Sequence, residues 1–132
     1  MTAAAPRATR QRAAITALLE DLDEFRSAQE IHDELRRRGE AIGLTTVYRT
    51  LQQMAATGAV DTLRTDTGES VYRLCSQNHH HHLVCRGCGF TVEVEDDDAE
   101  AWAAEVARTH GFSEASHTIE IFGTCAACAA GR

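Results

Sequence analysis

Two short cysteine pairs constrain this chain more than any other feature: Cys85 and Cys88 in CRGC, then Cys125 and Cys128 in CAAC. Each pair can offer two thiolates to one tetrahedral zinc ion. Four histidines, His79 to His82, stand just ahead of the first pair, and a fifth cysteine, Cys75, precedes them. Thiolate and imidazole are the ligands zinc prefers, so this part of the chain points to more than one bound metal.

The 132 residues suffice for one ordinary domain or two very small ones. Domains below about 70 residues commonly need a metal, a disulfide or a partner to be stable, and zinc would supply that staple. The opening MTAAAPRATRQR has no apolar stretch resembling a signal peptide, and no run approaches the ~20 apolar residues of a membrane span. A cytoplasmic protein with no membrane partner is therefore expected. In a reducing compartment the five cysteines read as metal ligands rather than disulfides, and Cys75 is left over from the two pairs.

The net charge of −7 argues against nucleic acid, but the charge is unevenly spread. Residues 1–74 carry ten Arg against eleven acids, and residues 75–132 carry three Arg against nine. Every basic side chain is Arg, which suits planar recognition of phosphates and guanine edges. Arg36 to Arg38, taken alone, read as a solvated helix face.

The first 74 residues read as three helices and a hairpin. Thr9 is placed to cap a helix carrying Ile15, Leu18, Leu19 and Leu22, and Ser27 with Glu30 makes a capping box for a second with Ile31 and Leu35. Gly39 is expected to end it. A third helix over roughly Thr45 to Thr57 turns Val47, Leu51 and Met54 inward, stops at Gly58, and leaves Tyr48, Arg49 and Gln52 outward. Ala59 to Thr65 and Ser70 to Leu74 flank a turn at Asp66 to Glu69, the pattern of a hairpin. Three helices and a hairpin make a winged helix, whose third helix enters the major groove.

The second part reads as strand, knuckle, strand, helix and strand: His81 to Val84, CRGC, Phe90 to Val94, a helix with Trp102 and Val106 ending near Gly111, then His117 to Phe122. Thirty-six residues separate Cys88 from Cys125, longer than the roughly 15 to 20 of a compact zinc ribbon. The two pairs thus bracket a folded unit, with zinc tying the tail back onto the knuckle. Four thiolates at about 2.3 Å leave no open coordination position, so this site reads as structural. In an extended segment His79 and His81 point one way and His80 and His82 the other, so the run can feed two different metal sites.

At GLTTVYRTL (Gly43 to Leu51), HHHHLVCRGCG (His79 to Gly89) and the closing CAAC, the chain resembles the Fur family of metal-sensing transcriptional repressors, and within it the zinc-uptake-regulator (Zur) branch. The resemblance covers nearly the whole chain. It implies an α+β protein: an N-terminal winged-helix DNA-binding domain with a hinge over residues 1–78, and a C-terminal α/β dimerisation and metal-binding domain over 79–132. It further implies a homodimer with up to three Zn2+ per subunit, binding an A·T-rich inverted-repeat operator when metal fills the hinge. Carried over by position, the hinge sensor would use Asp61, Cys75, His80 and His82, and a third site His79, His81, Glu100 and His117. Thr45, Thr46 and, on the first helix, Arg10 join Tyr48, Arg49 and Gln52 as candidate DNA contacts.

Simpler roles stand beside these. Asp61 could be a surface strand residue, Cys75 a small buried hydrophobe, Glu100 the partner of Asp97 in a capping box, and His117 a polar strand end. The chain departs from the iron-sensing branch at Phe25, where those sensors tend to have histidine, at His81, where aspartate is frequent, and in gaining Cys75. A thiolate favours zinc over ferrous iron, although softness alone does not exclude nickel or cobalt. A zinc hydrolase would need an open metal position and a general base, and no HExxH pair is present. A zinc store or chaperone would use the same ligands without reading DNA.

Overall fold

The computed structural model describes residues 6–76 and 78–131; Met1 to Ala5, Gln77 and Arg132 lie outside it, and with them part of the opening segment and one residue of the expected domain boundary. Helix α1 (Arg7–Glu20) has Pro6, not Thr9, at its N-cap. Pro6 holds an extended conformation just ahead of the first turn, so Thr9 falls inside that turn instead of capping it. Two-residue strand β1 (Arg26–Ser27), which the sequence pattern did not reveal, leads into α2 (Ala28–Arg37). Ser27 accepts the Glu30 N–H at 3.1 Å and Glu30 accepts the Ser27 N–H at 3.0 Å, closing the capping box. Helix α3 (Leu44–Ala56) follows. Both α2 and α3 end in the same device: Gly39 and Gly58 take positive φ, and the next residue's N–H returns to the carbonyl of Leu35 or Met54.

Apolar residues at helical spacing bring the three helices onto one core, with Ile15, Leu18, Leu19, Ile31, Leu35, Val47, Leu51 and Met54 all fully buried. Val60 and Tyr72 close it from the wing. The wing strands are β2 (Asp61–Arg64) and β3 (Ser70–Arg73), shorter than their sequence pattern suggested, and β1 completes an antiparallel sheet of order β1-β3-β2. This is a winged helix.

The remaining chain forms β4 (His81–Cys85), β5 (Thr91–Val94), α4 (Asp97–Thr109), β6 (Glu120–Gly123) and the short α5 (Ala126–Ala129), the last not foreseen. Strand β5 folds back antiparallel on β4 across the knuckle, whereas β6 lies parallel to β4 on its other side. A parallel neighbour requires a crossover, and α4 provides it. Helix α4 is capped by Asp96, which accepts the N–H groups of Asp98 and Ala99. No capping box forms between Asp97 and Glu100, because the helix begins one residue earlier than that pairing needs. The Glu100 carboxylate is directed elsewhere.

Strand alternation divides the sheet. Val84 faces the winged helix in a second small core with Phe25, Leu63 and Val71, against which Phe122 packs. Leu83 and its cross-strand neighbours Val92 and Ile121 face the other way and stay exposed, as do Trp102 and Val106 on α4. The knuckle also touches the winged helix through the backbone: Glu24 and Phe90 form a bridge, and Phe25 donates its N–H to Gly89 at 3.2 Å. Gly89 has φ of +81°, and a Cβ there would lie 2.9 Å from the Phe25 carbonyl. No helix among the described residues is long and apolar enough to cross a membrane.

Candidate metal centres and reading helix

Three groups of four ligand-type side chains converge, with the ligand atoms of each group within 4.8 Å of one another. They are Cys85, Cys88, Cys125 and Cys128; Asp61, Cys75, His80 and His82; and His79, His81, Glu100 and His117. All five cysteines are free thiols.

In the first group the knuckle between β4 and β5 meets the start of α5. The N–H groups of Gly87 and Cys125 each point at the Cys85 sulfur from 3.3 Å, and the Cys88 and Cys125 sulfurs lie 3.7 Å apart. A side chain at Gly87 would place its Cβ 3.0 Å from the Cys128 sulfur, so the turn is shaped around the thiols. Backbone N–H groups of Cys125, Cys88 and Gly87 hold Cys85 down to about 6, while the neighbouring sulfurs push Cys128 up to about 12. Cys85 ionises readily while Cys88 and Cys128 resist, which is what close-set thiolates do until a dication compensates them. The donor set fits tetrahedral zinc.

The second group spans the two halves. Asp61 opens β2, Cys75 follows β3, and the histidines lead into β4. The Nε2 atoms of His80 and His82 lie 2.5 and 2.9 Å from one Asp61 carboxylate oxygen, and the Cys75 sulfur is 3.7 Å from His82 Nε2. His80 Nδ1 turns away to donate to the Asn78 carbonyl at 2.6 Å, so Nε2 faces the cluster, where it donates to Asp61 and where a bound metal would take the place of that proton. Burial raises the Asp61 pKa, but hydrogen bonds from His82, Cys75 and His80 outweigh it and hold the group down to about 2. Burial pushes the Cys75 thiol up to about 12, against the pull of Arg73. The Phe25 ring stands edge-on to His82 with centroids 5.0 Å apart. Two imidazoles, a carboxylate and a thiol converging in this way fit a soft divalent ion.

In the third group Glu100 is the hub. His81 Nε2 lies 2.8 Å and His79 Nε2 3.0 Å from one of its oxygens, and His117 Nε2 2.5 Å from the other. The Nε2 atoms of His79 and His117 are only 3.3 Å apart, a repulsive approach for two lone pairs unless a proton or a cation lies between. Burial opposes ionisation of Glu100, and the histidines override it and lower its pKa.

Four further side chains around the second group carried no separate signal in the sequence. Arg73 donates to Glu93 at 2.9 Å, Ser76 donates its hydroxyl to Glu93 at 2.7 Å, and Glu120 lies 3.7 Å from His82 Nδ1. Glu93 and Glu120 sit beside His82 because they are its register partners on β5 and β6.

On α3, Thr45, Tyr48, Arg49 and Gln52 are exposed and, with Leu44, line one wall of a groove of about 550 Å³ whose other walls are the start of α2 and the wing residues Glu69 and Ser70. Thr46 is half-buried and does not line it, and Arg10 lies on another face, beside Glu40 and Ile42.

The profile of the ferric uptake regulator family matches residues 3–122. The chain is 76% identical over 128 residues to the zinc uptake regulation protein of Mycobacterium tuberculosis, covering 97% of this chain and 98% of that protein. Among solved structures it is 77% identical to a zinc uptake regulator of M. tuberculosis, with a TM-score of 0.57 and coverage of 92% and 95%. It is also 29% identical to a zinc uptake regulator complexed with zinc and DNA, with a TM-score of 0.71 and coverage of 94% and 84%.

Proposed function

Since this chain belongs to the ferric uptake regulator family, we propose that it is a zinc-responsive transcriptional repressor, a homodimer that binds operator DNA when zinc occupies the cluster of Asp61, Cys75, His80 and His82. The observation that carries this reading is topological: two of those ligands belong to the winged helix, and His82 on β4 and His80 just ahead of it belong to the other half, so one ion joins both. Bound zinc would supply a fixed, charge-neutralising link between them. Without it the winged helices sample several orientations; with it they are held at the spacing of two half-sites, and DNA no longer meets that ordering cost. Zinc and operator therefore enhance one another's binding.

Two features support the rest. The whole chain superposes less well on its 77% identical relative (TM-score 0.57) than on its 29% identical one (0.71), as expected of two rigid halves on an adjustable hinge. Leu83, Val92 and Ile121, side by side on the sheet, and Trp102 and Val106 on α4 are exposed apolar side chains of the kind that a second copy covers. The Cys85, Cys88, Cys125 and Cys128 site is structural, the hinge site senses, and His79, His81, Glu100 and His117 hold a third zinc that tunes the response. An A·T-rich inverted repeat suits a two-fold dimer, with Arg49, Tyr48, Gln52, Thr45 and Thr46 on the reading helix and Arg10 on α1 at the DNA. The protein acts in the cytoplasm and is not an enzyme.

The test is operator binding titrated with zinc, with retained metal measured in parallel. Cys75→Ala is expected to abolish the zinc response while the four-cysteine zinc and the dimer persist, and His81→Ala or His117→Ala to lower maximal affinity only in part. A Cys75→Ala protein with wild-type midpoint and amplitude would remove the hinge from the mechanism. Binding of zinc with no chelator-sensitive gel shift would make the protein a zinc store.

A further inference from the structure

Arg73 closes β3 with its side chain only 12% exposed, and its guanidinium meets three segments at once. It donates to the Asp23 carbonyl at 3.1 Å, to the Cys75 sulfur at 3.1 Å and to the Glu93 carboxylate at 2.9 Å. Burying a guanidinium is unfavourable unless its donors are met, so these contacts are specific. The contact to sulfur is unequal between states. A neutral thiol accepts hydrogen bonds weakly, whereas the thiolate formed on metal binding is a charged acceptor. Arg73 therefore favours the metal-loaded form of Cys75.

Glu93 makes the second half of the argument. Its carboxylate lies 3.7 Å from His80 Nδ1 and accepts from Ser76, at the rim of the hinge cluster, yet it is outside the convergent set of four. A free carboxylate there could swing onto the metal as an added oxygen ligand. Charge points the same way: a divalent ion balances Asp61 and the Cys75 thiolate, and Arg73 balances Glu93. Without Arg73 the site carries an uncompensated negative charge beside its metal.

Resting on the sensor reading above, we propose that Arg73 is a specificity-determining positioning residue of the hinge site: it steadies the Cys75 thiolate and holds Glu93 off the metal, keeping the site four-coordinate and selective for thiophilic ions over harder ones. The experiment uses the full-length dimer with its four-cysteine zinc retained and the hinge metal removed, titrated with cobalt(II) and separately with zinc and manganese(II). In the wild type, four-coordinate cobalt bands with a thiolate charge-transfer band are expected; the charge-transfer band is absent from Cys75→Ala, where the site of His79, His81, Glu100 and His117 offers no thiolate. Arg73→Met should weaken zinc binding at least about tenfold, as loss of an outer-shell partner does, with fainter cobalt bands of higher coordination and a narrowed zinc-to-manganese preference. Arg73→Lys should fall between the two. Adding Glu93→Gln to Arg73→Met should restore the four-coordinate bands, which a merely structural role for Arg73 does not allow.

Wild-type bands and affinity in Arg73→Met, or a double variant no better than the single one, would overturn the proposal. A thiolate-to-cobalt charge-transfer band that survives in Cys75→Ala would instead overturn the sensor reading beneath it.

Discussion

His82 is approached by carboxylates at both ring nitrogens, Asp61 at Nε2 and Glu120 at Nδ1, and Cys75 beside them is held as a thiol by burial. Protons and metal therefore compete at the hinge. In the metal-free protein, Asp61 falls from 3.8 to about 2, so its contribution to stability is present above 3.8 and lost as pH falls towards 2. His80 rises above 6.5: burial opposes this, and the Asn78 carbonyl and Asp61 override it. Its contribution is complete below 6.5 and is lost as pH climbs through the folded value. The metal-free junction is thus tightest between these limits and loosens towards alkaline pH, which hydrogen exchange at the hinge should show. Zinc reverses the trend, because it displaces the Cys75 proton. Apparent zinc affinity is expected to rise about tenfold per pH unit, more steeply where His80 is also protonated. Competition titrations between about pH 6 and pH 8 check this, and a pH-independent affinity would exclude Cys75 as a ligand.

Helix α3 shows how one element serves two purposes. Val47, Leu51 and Met54 lie on the buried stripe, and Tyr48, Arg49 and Gln52 alternate with them on the exposed one. A change on the exposed stripe should therefore reach DNA without reaching the core. Arg49→Ala is expected to weaken operator binding by roughly 1–3 kcal/mol if it reads a base, or to lower the salt slope by about one if it holds a phosphate. Zinc content and dimerisation should stay unchanged in either case, and Tyr48→Phe should act in the same direction more mildly. Wild-type affinity across a salt series would exclude a direct contact by Arg49. Strand β4 divides its labour likewise, sending His82 and Val84 to the winged helix and His81 and Leu83 to the α4 side.

At the scale of the molecule, the four-cysteine site pins the tail behind β6 to the knuckle between β4 and β5, and the exposed apolar face is built on those three strands. Loss of that zinc should loosen the face as a whole. Cys128→Ser is expected to lose the tightly held zinc and to shift the protein from dimer towards monomer and aggregate, because a closed thiolate site contributes folding free energy outright. Metal analysis with size exclusion checks this: full zinc content in a normal dimer would remove the structural role.

Much of this was written locally and could be read without coordinates. The cysteine spacing, the alternation along His79 to His82, the capping box at Ser27 and the inward stripe of α3 each depend on neighbours within a turn or two, where geometry follows the repeat of one element. Local reading misled where two starts competed: Pro6 pre-empted Thr9, and Asp96 pre-empted Asp97, which released Glu100 towards the histidines. Only the tertiary structure decided that β6 runs parallel to β4, that Phe25 packs against His82, and that Arg73 and Glu93 meet behind Cys75. Those meetings join segments far apart in the chain, and strand register and the α4 crossover set them, which no local repeat encodes.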